Sequence, residues 1–280
     1  MSLRINHNIA SLNGHRNMVK NDMAVSKSLE KLSSGLKINR AADSAAGLVI
    51  SEQMRAQLNG LKQAMSNTEQ AVTMVQTAEG ALDEMNSLLS KVKSLALHAL
   101  NSGVSDNAQR GADNDEYQNI LSSIDRIVGQ TRFAGQTLLD GNFSTGGTAG
   151  LARFQVGEQA TDNVTLSIQG VGVSSLAMSG TTVSTVTNAS ATLTLVSAAI
   201  NTVTNLRGTL GAFQANTLET GLRSLSVTYE NLTAAESVIR DVDFAEESAV
   251  FTKNQILVQS ATAMLAQANQ LPQNVLKLLG

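Results

Sequence analysis

Residues 244–280 read FAEESAVFTKNQILVQSATAMLAQANQLPQNVLKLLG, and the reading of this stretch decides the fold of the whole chain. Val250, Leu257, Met264, Leu271 and Leu278 recur every seven residues, and Ala261, Ala268 and Val275 form a second series three or four positions away. An apolar step averaging 3.5 residues keeps one stripe of a helix turned toward a partner, the pattern of a coiled coil. From Asn254 to Leu276 no residue is charged, and the other faces carry Gln255, Gln259, Ser260, Thr262, Gln267, Asn269 and Gln270. Solvent-facing helices ordinarily mix in charge, so this one is expected to meet neighbours. Its length approaches that of a membrane span, but amides on several faces are costly in lipid. The expected partner is protein.

A matching segment lies at the other end. Over residues 5–36, Met18, Val25 and Leu32 recur at seven, as do Leu29 and Leu36. Two heptad segments at opposite ends of one chain can pair with each other. Ser33, Ser34 and Gly35, followed by the run from Asn39 to Asp43, supply the small and polar residues that end a helix.

Between them the longest pattern starts at Ala45. Met54, Leu61, Thr68, Val75, Leu82, Leu89 and Ala96 are each seven apart, predicting a helix of roughly 80 Å at 1.5 Å per residue. A helix this long does not fit inside a compact sphere, which leaves rods and bundles. Asn101 to Gly103 close it, and a further helix follows with Ile120, Leu121, Ile124, Ile127 and Val128 on its buried face. The glycine-rich stretch through Gly146, Gly147 and Gly150 lacks the Gly-Lys-Ser/Thr of a phosphate cradle and reads as a turn. Alternation appears at Phe154 and Val156, then at Val164, Leu166 and Ile168, with turn residues from Gly157 to Asn163, predicting a β-hairpin. Residues 170–190 have no period and read as a loop or a small extra hairpin. From about Ser190 helical spacing resumes through Val196, Val203, Leu210, Leu218, Leu225 and Leu232. The order is nearly a palindrome. The fold class is therefore mainly α: long coiled-coil helices in a rod formed by both halves of the chain, with a small β-hairpin region near the middle.

The composition removes most chemistry. The 280 residues contain no cysteine, which excludes disulfides, thiol catalysis and cysteine metal sites together. Twenty basic residues against 23 acidic ones leave no basic block for nucleic acid. Aromatic residues are 3% of the chain and Pro272 is its one proline, which suits very long helices. His7, His15 and His98 have no partner at metal-ligand spacing. Asp241, Asp243, Glu246 and Glu247 precede the uncharged helix, where carboxylates favour a helix N-terminus. No nucleophile elbow or Ser-His-Asp order is present, so neither an enzyme nor a cofactor is expected. The start, Met1-Ser-Leu-Arg-Ile-Asn, has no apolar core of signal-peptide length, so export without a cleaved signal is expected.

Linked motifs over about three quarters of the chain then identify a resemblance. They include Ile5-Asn6-His7-Asn8, Leu32-Ser33-Ser34-Gly35-Leu36, Ala41-Ala42-Asp43-Ser44-Ala45-Ala46-Gly47-Leu48 and Gln76-Thr77-Ala78-Glu79-Gly80-Ala81-Leu82. In the second half they include Asn231-Leu232-Thr233-Ala234-Ala235-Glu236-Ser237, Ile239-Arg240-Asp241-Val242-Asp243 and the run from Ala261 to Asn269. The sequence resembles bacterial flagellin, the subunit of the flagellar filament.

The resemblance implies an inner-tube domain from residues 1–42 and 244–280, and a helical rod with the hairpin from 43–169 and 191–243. Residues 170–190 would be a vestigial outer loop or hairpin. It implies self-assembly into a helical homopolymer for swimming, outside the cell. A hook–filament junction protein of the same ancestry is the alternative. Met18, Val25, Leu29, Leu32, Leu36, Val250, Leu257, Ala261, Met264, Ala268, Leu271, Val275 and Leu278 are the expected packing residues. Implied partners are an export chaperone on the C-terminal helix, the filament cap, hook-junction proteins and, for some relatives, a host Toll-like receptor; neither nucleic acid nor membrane is among them. The receptor-recognising Arg, Leu and Glu of such relatives fall at Lys91, Leu95 and Glu116, with lysine replacing arginine. The uncharged faces of the last helix are expected to pack between subunits and line a central channel.

Overall fold

The computed structural model describes the backbone of residues 7–103 and 105–279, and the side chains of those as far as 270. Its helices are α1 (Ile9–Ser34), α2 (Ala45–Ala99), α3 (Asn107–Gln130), α4 (Val186–Phe213), α5 (Thr220–Arg240) and α6 (Phe244–Leu279). Four short strands lie between α3 and α4: β1 (Arg132–Phe133), β2 (Gln136–Thr137), β3 (Ala152–Gln155) and β4 (Asn163–Leu166). A single π turn, Gln214–Glu219, joins α4 to α5. Among the described residues no helix is long and apolar enough to cross a membrane.

The chain forms two compact units, one from residues 1–58 and 230–280 and the other from 59–229. The first turns of α2 and the last turns of α5 lie in the first unit, where Arg240 of α5 bonds Glu52 of α2 at 3.1 Å.

The unit of residues 59–229 holds the core. Along α2, Val75, Leu82, Leu89 and Ala96 are buried, as are Ala78, Met85, Val92 and Ala99, so two heptad series run side by side into the interior. From α3 come Tyr117, Ile120, Leu121, Ile124 and Val128, and from α4 Ala189, Val196, Val203 and Leu210. Thr68 continues the α2 series although polar; its hydroxyl donates to Ala64 O at 2.8 Å and so enters the interior satisfied.

The hairpin pairs β3 with β4 antiparallel, Phe154 opposite Val164. Its tip reaches α2 at Gly60, where a β-carbon would lie 3.0 Å from Glu158 Cγ. Phe154 meets Phe213 of α4 with ring centroids 6.3 Å apart, and aromatic pairs at that separation attract beyond their burial. A second hairpin, β1 with β2, turns on Ala134 and Gly135, both with positive φ (49° and 84°). Two left-handed residues give the tight turn whose twist matches its strands. The sequence carried no usable signal for it, since two-residue strands are too short to alternate.

Residues 170–185, expected as an outer loop or extra hairpin, form a loop that packs inward. They form no strand, and Val171, Val173, Leu176, Met178 and Val183 are buried in the core. Polar side chains of α3 hold the backbone there: Asp125 accepts from Val173 N at 2.9 Å and Asn114 from Val183 N at 3.2 Å. Gln118 donates to Thr181 O at 2.8 Å, and the Tyr117 hydroxyl meets that of Thr181. A non-periodic segment can fill a core once its backbone groups have partners. The helix after it begins at Val186 rather than near 191.

Candidate functional site

The terminal unit is built on the antiparallel pair of α1 and α6. Asn8, which caps α1 by accepting from Ser11 N, also donates to Ala268 O at 2.9 Å. At the other end Lys31 bonds Glu247 at 3.1 Å. Between them Gly14 admits α6 so closely that a β-carbon there would lie 3.1 Å from Leu265 Cδ1.

The least exposed residues of α1 repeat at Ser11, Gly14, Met18, Asn21, Val25, Ser28 and Leu32; those of α6 repeat at Phe251, Asn254, Val258, Ala261, Leu265 and Ala268. Both series step alternately by three and four, the geometry that packs one helix on another. Met18, Val25, Leu32, Ala261 and Ala268, among the residues singled out from the sequence, lie half-buried on these stripes. Leu36 is half-buried beyond the end of α1. Leu29 (56% exposed), Val250 (39%), Leu257 (39%) and Met264 (68%) lie off them. The side chains of Leu271, Val275 and Leu278 fall outside the described residues. The divergence has a simple origin: α6 is apolar both at 250, 257, 264 and at 251, 258, 265, and Ala261 and Ala268 complete a three-and-four alternation with either series.

The pair therefore covers its apolar surface incompletely. Ser28 is the one fully buried residue of α1, and none between Phe244 and Gln270 is. Ile9, Leu12, Met23 and Leu29 of α1, and Phe244, Val250, Ile256, Leu257 and Met264 of α6, remain exposed. A groove along the pair is lined by Asn13, Asn17 and Asn21 on one side and by Leu257, Ser260 and Met264 on the other, without a charge. An apolar face left open on this scale marks an interaction surface.

The root of the pair is stitched by backbone and charge. Leu36 and Asp241 form an antiparallel bridge: Lys37 N donates to Arg240 O at 2.6 Å and Val242 N to Gly35 O at 3.0 Å. Asp43 closes the turn before α2 by accepting from the backbone of Asn39 and Arg40, and bonds Lys27 of α1 at 2.6 Å. The Lys27 hydrogen bond first, then the Arg40 amide, hold its carboxyl down at about 2, against a smaller opposing push from burial. At Glu247 burial pushes upward, but hydrogen bonds from Ser28 and Lys31 and the lysine charges together outweigh it, so the carboxyl sits below its ordinary value. Asp243 caps α6, accepting from Ala245 N at 2.8 Å and Glu246 N at 3.2 Å, as the acidic run before that helix implied.

In the other unit, Lys91 of α2 and Glu116 of α3 pair at 2.5 Å, with Leu95 half-buried one turn farther along α2. His98 and Asp113 make a second α2–α3 contact at 2.6 Å. Among the described residues no group of three His, Asp or Glu side chains is placed to hold a metal ion.

The comparisons with known proteins converge. Residues 5–144 match the model of the bacterial flagellin N-terminal helical region, and residues 193–279 that of the C-terminal helical region. A flagellin of Halalkalibacterium halodurans is 44% identical over 277 residues, covering 98% of this chain and 99% of its own length. A flagellin of Bacillus subtilis is 44% identical, covering 99% of this chain and its full length. A flagellar filament core protein of Treponema maltophilum is 37% identical over 98% of this chain and 99% of its own length. The crystal structure of Bacillus cereus flagellin superposes with a TM-score of 0.50 at 25% identity, covering 61% of this chain and 94% of that one. A chain with both helical regions, matched end to end by such relatives, belongs to the bacterial flagellin family.

Proposed function

We propose that this chain is a structural subunit of the bacterial flagellar filament, and that its paired terminal helices are the surface through which copies assemble outside the cell. One observation carries the reading: the unit of residues 59–229 has a full core, whereas α1 and α6 leave nine large apolar side chains exposed, Ile9, Leu12, Met23 and Leu29 on one helix and Phe244, Val250, Ile256, Leu257 and Met264 on the other. Burying such surface contributes about 25 cal/mol per Å², and in a homopolymer the partner is another copy. An interface whose symmetry does not close gives an open filament.

Purified protein seeded under assembly conditions should give long filaments by electron microscopy. Chains lacking residues 1–40 or 244–280 should keep helical circular dichroism yet stay unpolymerised. Normal filaments from either truncated chain would overturn the reading, and short caps from the full chain would assign it to the hook–filament junction instead.

Finer roles belong to the same proposal. The export chaperone takes the C-terminal helix, and the cap and hook-junction proteins meet the terminal pair. The uncharged groove side chains suit a channel or subunit contact that must not bind a passing chain. The Lys91, Leu95 and Glu116 group is the candidate for Toll-like receptor recognition. There the Lys91 ammonium is engaged by Glu116 and lacks the planar fork of arginine, so contact at position 91 should be weaker than in a relative with arginine.

A further inference from the structure

The buried stripe of the helix from Val186 to Arg240 slips by one residue in its middle. Ala189, Val196, Val203 and Leu210 are seven apart, and so are Leu218, Leu225, Leu232 and Ile239, but the step from Leu210 to Leu218 is eight. Ala189, Val196, Val203, Leu210 and Leu218 are fully buried, and Leu225 is half-buried. The π turn, Gln214–Glu219, occupies the slip. A π turn is an α-helix with one residue inserted, so it absorbs the extra residue and returns the leucines to the stripe.

Side chains bridge the turn at its own spacing. Gln214 Nε2 donates to Glu219 Oε1 at 3.0 Å, five residues apart, and Thr220 Oγ1 donates to Ala215 O at 3.1 Å, again five back. Thr202, Thr209 and Thr228 on the same helical run make the ordinary bond four residues back. Three glycines flank it, Gly208, Gly211 and Gly221, and a β-carbon at any of them would meet nothing within 4 Å. No contact requires glycine there, and glycine loosens a helix.

Without the insertion, the heptad series through Leu210 would run on to Thr217, Ser224, Asn231 and Val238, and the series Ala199, Leu206 and Phe213 would run on to Thr220 and Val227. Val227 and Val238 are 57% and 80% exposed. We infer that the π turn is a register-setting device that decides which face of α5 is buried, and that the flanking glycines let the helix take up or release the extra residue. Release would rotate α5 by about 100°, one residue of α-helix, exchanging the leucine face for the Val227 face.

The chain has no cysteine, so single thiols at positions 225 and 227 report the phase by their rate of maleimide labelling. In the full chain Val227→Cys should label at least about tenfold faster than Leu225→Cys, because burial shields a group from reagent until local opening. Deleting Ala215 shortens the step from Leu210 to the next leucine to seven residues, so an unbroken α-helix should bury the same leucine face and leave the labelling order unchanged while helical circular dichroism is kept. A reversed order in the deleted, helical chain would overturn the inference. Should the deletion unfold the chain, adding one Ala between Thr220 and Gly221 must restore both folding and the original labelling order, and failure of that rescue would equally overturn it.

Discussion

Gly14 of α1 and Leu265 of α6 stand so close that a β-carbon on Gly14 would lie 3.1 Å from the Leu265 Cδ1 methyl. Glycine inside a helix costs about 1 kcal/mol relative to alanine, and here close approach of the two helices offsets it. A single methyl meets the movable end of one side chain, so Gly14→Ala should polymerise nearly as the parent does. Gly14→Val should separate the helices at an overpacking cost of about 1–3 kcal/mol. The critical concentration for assembly measures this; equal values for the parent and Gly14→Val would mean that the pair is not kept on assembly.

Leu257 and Met264 lie beside the α1–α6 contact stripe, along the open groove, at 39% and 68% exposure. Leu257→Gln combined with Met264→Gln should therefore leave monomer helicity and melting temperature within experimental spread, yet abolish seeded growth. A loss of monomer stability comparable to that from a core mutation would place these residues in the intramolecular contact instead.

Amide exchange in the monomer should separate the two units. With Ser28 the one fully buried residue of α1, and none within Phe244–Gln270, these helices should exchange quickly. The amides from Val75 to Ala96 of α2, whose side chains line the core, should exchange near the global unfolding limit. Strong protection of α1 before assembly would count against a pair completed by its neighbours.

Acid should loosen the root of the terminal pair. Asp43 titrates near 2 in the fold against 3.8 as its ordinary value. A depressed folded value means its contribution is present above the unfolded value and is lost as pH falls through the folded one, so the window runs from about pH 4 to pH 2. Glu247, also lowered, works in the same sense. Asp43→Asn should flatten the stability profile of the terminal helices across that window and leave it unchanged at pH 7 apart from a constant offset. A profile as steep as the parent's would show that another carboxylate governs it.

Met178 distinguishes a packed segment from an outer loop. It is fully buried, so Met178→Ala should destabilise the unit of residues 59–229 by about 2–5 kcal/mol, read by denaturant melts. A change near zero would return residues 170–185 to the surface.

Where one partner face dominated, the fold was legible in the sequence. The α2 series from Leu61 through Thr68 to Ala96 is buried as its spacing implied, and Phe154 pairs with Val164 as their alternation implied. The choice of stripe in α6 was not legible, because position 257 and position 258 both carry apolar residues and both fit the alternation with Ala261. Burial of the segment around Met178 was hidden for another reason: it depends on Asp125 and Asn114, about fifty and seventy residues upstream, satisfying its backbone. The slip at Gln214 was visible in principle, as an eight-residue step where sevens precede and follow.

The bond from Asn8 to Ala268 joins residues 260 positions apart. A chain that emerges N-terminus first therefore delivers α1 early and must wait for nearly its whole length before α1 finds its mate. Contacts so distant form late, after the cost of closing the loop has been met. The terminal pair thus works as a proof of completeness. On the proposed reading, a chain cut short between residue 229 and α6 can still fold its core but lacks half of the terminal pair, so such copies would be shut out of the polymer without any separate inspection step.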